Sequence, residues 1–132
     1  MAIVGEDVDD RLPDVAALYE RAGHPLGRDQ EELSRRLAAA DSAYGFLRQD
    51  TEALVGFVRL VVDDGVLHAC DPVVDESHPV DPRESLVATL EFGLLGQFDA
   101  DAVRLYSADA ARYERHSAGS RVVEFVADEP PV

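Results

Sequence analysis

His68, Cys70, Asp71, Asp75 and His78 fall within one short stretch. Imidazole, thiol and carboxylate are all metal ligands. On a strand, His68 and Cys70 would share a face, because side chains alternate with period two. Zinc sites bring their ligands in tighter pairs than this spacing, and a lone Cys is most often a small buried hydrophobe, so no metal is expected. Tyr113 carries a phenol, a general acid when it lies within hydrogen-bond reach of a leaving group. The plainer reading is a ring packed on a sheet with its hydroxyl at the edge. Arg83 is the main cation of the segment Glu76-Ser-His-Pro-Val-Asp-Pro-Arg-Glu-Ser85, with His78 a weaker second. Glu31, Glu32, Arg35 and Arg36 have the favourable i,i+4 orientation for helix pairing, which accounts for them as a solvated face. No Gly-x-Gly-x-x-Gly, Gly-x-Ser-x-Gly or P-loop phrase is present, so nucleotide binding and serine hydrolysis have little support.

These residues need elements to hold them. A short strand is expected over Ala2–Val4. Pro13–Ala22 reads as a helix with Val15, Leu18, Tyr19 and Ala22 on one face, stopped by Gly23 and Pro25. Asp29–Ala40 is a second helix, opened by an Asp29/Glu32 capping box with Leu33 and Leu37 inward. Strands follow over 43–49 and 53–62. Asp63-Asp64-Gly65 then marks a hairpin, because Asp-Gly tolerates the positive φ of a type I′ turn. The return strand is Val66–Val74. After a polar loop, Arg83–Leu95 is a long apolar helix with Asp81 as cap, Pro82 in the first position and Gly96 beyond its end. Phe92, Leu94 and Leu95 at that end are core residues or a self-association face, so a homodimer is open. Ala102–Tyr106 is a strand, Asp109–Ser117 a helix and Arg121–Ala127 the last strand. The sum is an α+β sheet covered by helices.

The 132 residues suit one domain, 1–132. The twelve cations are all Arg, Asp outnumbers Glu, and the formal net charge is −15. Such self-repulsion loosens a compact chain in dilute buffer and is relieved by salt, which points to a halophilic, acidic protein. A GC-rich genome would explain the absent Lys but not the excess of Asp. The scattered Arg residues offer no phosphate-binding face, so nucleic acid is not an expected partner. One Cys fits a reducing compartment. With no long apolar run and no basic leader, a cytoplasmic protein that does not cross a membrane is expected.

The element order resembles the GNAT N-acetyltransferase fold over nearly the whole chain. Several phrases carry the likeness together. Asp14-Val-Ala-Ala-Leu-Tyr-Glu-Arg-Ala-Gly23 is similar to that family's first helix, and Ala53-Leu-Val-Gly-Phe-Val-Arg-Leu60 to its third strand. Leu67-His-Ala-Cys-Asp-Pro-Val-Val-Asp-Glu76 stands where its fourth strand leads to the cofactor, and Ala111-Arg-Tyr-Glu-Arg-His116 looks like its late helix. The resemblance implies a mixed, mostly antiparallel sheet flanked by helices, and acetyl transfer from acetyl-CoA to a small-molecule or peptide amine. It implies cofactor contacts from Val73, Val74 and Arg83, with Tyr113 as the acid that protonates the thiolate. Asp71, or His68, would help deprotonate the amine.

In that family a glycine-rich loop after the fourth strand cradles the pyrophosphate with backbone N–H groups, helped by the helix dipole. Here no glycine lies between Val66 and Phe92, Pro79 and Pro82 remove two donors, and Asp81 and Glu84 bring carboxylates to the helix start. Three readings follow: an acetyltransferase, a non-catalytic binding module of the same fold, or an unrelated α+β domain. A sheet lacking the splay after Val74 would support the third and remove the first two.

Overall fold

The computed structural model describes residues 2–119 and 121–131. Six strands form one sheet in chain order, β1 (Ile3–Asp7), β2 (Ser42–Arg48), β3 (Leu54–Asp63), β4 (Val66–Val74), β5 (Ala102–Tyr106) and β6 (Val123–Val126). β1 to β4 pair antiparallel, and β4–β5 and β5–β6 pair parallel. Among the described residues four helices cover it: α1 (Leu12–Arg21), α2 (Gln30–Ala38), α3 (Pro82–Phe92) and α4 (Ala110–Glu114). Single 3-10 turns at Asp9–Arg11 and Pro25–Arg28 lead into α1 and α2.

Alternation along the strands divides the core between the two faces of the sheet. Leu60, Leu67, Ala69, Val103 and Leu105 pack with Leu86, Val87 and Leu90 of α3 and Tyr113 of α4. On the other face Phe57 and Val73 meet Val15, Leu18 and Tyr19 of α1 and Leu33 of α2. The β3–β4 turn has the geometry expected of Asp-Gly, with φ of +50° at Asp64 and +76° at Gly65 and the pair Asp63↔Val66 closing it.

Several boundaries differ from the sequence reading for local reasons. β1 extends to Asp7, paired with Tyr44. α3 stops at Phe92 with Gly93 as its C-cap, because Gly is a poor interior residue and a good terminator. Leu94 then turns into the core, whereas Phe92 is left 72% exposed. α4 covers only Ala110–Glu114. At α2, Asp29 caps the backbone N–H of Glu32, but the Glu32 carboxylate does not reciprocate. It takes Arg35 and, at 2.8 Å, Arg36, since two guanidiniums outbid one backbone amide. Among the described residues no helix is long and apolar enough to cross a membrane.

Candidate functional site: the splayed edge of β4

β4 and β5 pair from Val66↔Ala102 to Cys70↔Tyr106 and no further. β4 runs on to Val74, still paired to β3 through Phe57↔Val73 and Gly56↔Val74. Among the described residues, the segment Asp71–Val74 therefore has no strand beside it on the β5 side. The cause is in the residues. Asp71 has φ of +52°, a left-handed conformation that Asp tolerates better than most residues. It sits where the β3–β4 register shifts between Phe57 and Arg59, which makes it the extra residue of a bulge. Pro72 follows and has no N–H to give a ladder.

Buried polar contacts lock the bulge. Arg36 Nη1 donates to Asp71 Oδ1 at 2.8 Å and Arg59 Nε to Oδ2 at 3.1 Å, while the Tyr19 hydroxyl donates to the Asp71 carbonyl. Burial and the nearby Asp71 charge hold the Tyr19 phenol well above its ordinary range. Burial also pushes the Cys70 thiol up to about 11, which makes it an inert packing residue.

The splay opens a cleft of about 590 Å³. Its floor is Asp71–Val74. One wall is the α1–α2 connection at Gly23–Leu26, and the other is the chain after β5 with Arg112 and Tyr113 of α4. Asp71, Val73, Val74, Arg83 and Tyr113, the five residues singled out in the sequence, all line it. Tyr113 is buried, and that burial raises its pKa well above the ordinary phenol value. It keeps its proton at every physiological pH. The Arg83 guanidinium stands 5.2 Å from the centre of its ring. His68 instead spends Nδ1 on the Tyr106 hydroxyl, at 2.8 Å.

At the mouth of the cleft the loop leading into α3 is closed on itself. The N–H groups of Ser77, His78 and Val80 are taken by Asp75 Oδ1, the Asp75 carbonyl and His78 Nδ1. Those of Arg83 and Glu84 are taken by the Asp81 side chain and carbonyl. Residues 79 and 82 are prolines. With five N–H groups bonded internally and two positions held by proline, this loop offers a diphosphate few backbone donors. An extended amide-bearing arm does fit the free edge at Val73 and Val74, where an added strand would pair.

The sequence reading did not reach two further residues here. Glu76 Oε1 accepts from Arg83 Nη2 at 2.6 Å and lies 3.0 Å from Arg112 Nη1. The Arg83 hydrogen bond and the Arg112 charge hold the Glu76 carboxyl below its usual range. Asp81 also lies 3.3 Å from His116 Nε2. Burial pushes the Asp81 carboxyl up, but hydrogen bonds and charge from Arg83 outweigh it and the net direction is down.

A parallel β4–β5 pair that parts over a cleft, with an antiparallel meander before it and a helix crossing after it, defines an acetyltransferase fold of the GNAT type. Solved structures agree. The chain superposes on a GNAT family acetyltransferase from Staphylococcus aureus with a TM-score of 0.56 and 14% identity, over 96% of this chain and 98% of that one. A probable acetyltransferase matches at 0.61 and 18%, over 100% and 98%, and an aminoglycoside 6′-N-acetyltransferase from Acinetobacter haemolyticus at 0.57 and 14%, over 100% and 99%. No family model matches the sequence, and no curated protein is significantly similar to it.

Proposed function

We propose that this chain is an N-acetyltransferase that draws its acetyl group from an acetyl thioester such as acetyl-CoA and passes it to an amine. The observation that carries the reading is the unpaired β4 edge at Asp71–Val74 beside a cleft walled by Tyr113. The backbone of Val73 and Val74 would pair with the amides of a pantetheine arm. Backbone N–H groups near a thioester carbonyl stabilise the negative charge that grows there during acyl transfer. Tyr113 would give its proton to the departing sulfur and recover one, through water, from the acylated nitrogen, so that the proton the amine loses ends on the thiol. We assign Asp71 a positioning role in place of the base role the resemblance implies, because each of its oxygens already accepts from a guanidinium.

The test is calorimetric titration of folded protein with acetyl-CoA and with S-acetyl-pantetheine, followed by thiol release in the presence of a panel of amines. Binding of either thioester, with thiol release reduced about 10²- to 10⁴-fold in Tyr113→Phe and binding unchanged, is expected. No heat from either ligand on protein shown to be folded would sink the reading and leave a non-catalytic binding module.

A further inference from the structure

Two guanidiniums converge on one oxygen at the cleft mouth. Arg83 and Arg112, from different helices, both reach Glu76 Oε1, at 2.6 and 3.0 Å. Arg83 is 5% exposed, lines the cleft, and its buried Nε has no hydrogen-bond partner. Glu76 is the exposed member, with its side chain 55% exposed on the loop. A buried cation fixed over Tyr113 with a donor to spare, bridged to a second cation by an exposed carboxylate, has the build of an anion site filled by an internal stand-in. Arg suits this work because its planar fork matches carboxylate and phosphate oxygens.

We propose that Arg83 and Arg112 form a side-chain anion site that takes a single phosphomonoester at the end of the thioester ligand, with Glu76 as the placeholder it displaces. The proposal rests on the thioester reading above. It also accounts for the closed loop, because an anion held by side chains needs no backbone cradle. The site matches one compact anion. Two guanidiniums do not neutralise the several charges of a nucleotide diphosphate, and the Asp81 carboxylate stands 3.4 Å from Arg83. The preferred ligand is therefore a free acyl phosphopantetheine over the full coenzyme.

The experiment compares three thioesters by calorimetry on the full chain: S-acetyl-pantetheine, S-acetyl-4′-phosphopantetheine and acetyl-CoA. Arg83→Ala removes a buried group and is avoided. Arg112→Ala and Glu76→Gln alter half-exposed side chains, and Glu114→Gln, on the exposed side of α4, controls for charge alone. The phosphomonoester should bind about tenfold tighter than the phosphate-free thioester, as charge-assisted Arg–phosphate bonds would give, and no more weakly than acetyl-CoA. Arg112→Ala should erase that advantage, and Glu76→Gln should enlarge it severalfold while Glu114→Gln does not. Equal binding of the pantetheine and phosphopantetheine thioesters overturns the anion site but leaves the thioester reading standing. Tighter binding of acetyl-CoA, or the same gain from Glu114→Gln, also overturns it. Failure of all three ligands overturns both readings.

Discussion

Asp71 shows how one residue sets the cleft. Its left-handed φ and the proline after it end the β4–β5 ladder, and its carboxylate ties the bulge to Arg59 on β3 and Arg36 on α2. Arg59 is 2% exposed and Asp71 8%, so water does little to screen the pair. Breaking a buried pair from one side leaves the other charge in a poor solvent. Asp71→Asn keeps the size and the tolerance for positive φ but removes the charge. It should cost about 3 kcal/mol, the low end for such a loss, because Arg59 keeps other contacts. Urea denaturation of the variant and the parent would measure it. A fold of unchanged stability with transfer abolished would instead return Asp71 to the role of base. The five residues read from the sequence meet in one cleft because phrase order along the strands and helices fixed their neighbourhood. Glu76 and Arg112 were not legible, because nothing in local spacing says that a loop carboxylate and a helix guanidinium from distant segments will share one oxygen.

At the scale of elements, α2 adds ion pairs at Glu32 to the burial of Leu33. Glu32 accepts from Arg35 and Arg36, and those hydrogen bonds lower its carboxyl to about 2 from an ordinary value of 4.5. The folded group titrates below the unfolded one. Its contribution is therefore present above pH 4.5 and is lost as the pH falls toward 2. Thermal melts across that window should show a steeper loss for the parent than for Glu32→Gln, and parallel losses would show that the pairing contributes nothing to α2. Elements with a chemical marker at each end were legible in the sequence. β4 has Asp-Gly before it and a polar loop after it, and its bounds came out as read. The sequence pattern carries α3 past its end at Phe92, because apolar Leu94 and Leu95 continue the helical spacing beyond Gly93. The 3-10 turns at Asp9–Arg11 and Pro25–Arg28 are too short to leave a periodicity. The splay itself was written in Asp71-Pro72, a left-handed-tolerant residue followed by one without a donor. Strand propensity averaged over β4 hides that pair.

Over the whole molecule the charge balance sets the terms on which these local devices work. Many of the arginines already sit in ion pairs, at Arg11, Arg21, Arg36, Arg48, Arg59 and Arg83 among others. With twenty-seven acids against twelve cations, a large surplus of carboxylates has no cation to meet. Added salt therefore has two opposed effects. It weakens the exposed pairs, which are worth little individually, and it screens the surplus repulsion, which acts across the whole surface. The second should win. The Debye length falls from about 10 Å at 0.1 M to about 3 Å at 1 M, so nearly all the relief should arrive below 1 M. For a chain of this size each kcal/mol recovered raises the melting midpoint by roughly 4 °C. A rise of about 8 °C between 0.1 and 1 M potassium chloride, followed by a plateau, is the expected melting curve. A midpoint that is flat or falls over that range would remove the salt-adapted reading and leave base composition as the account of the missing lysines. A rise that continues linearly to 3 M would point to exclusion of salt from the surface, because screening has nothing left to give once the Debye length is shorter than the spacing between charges.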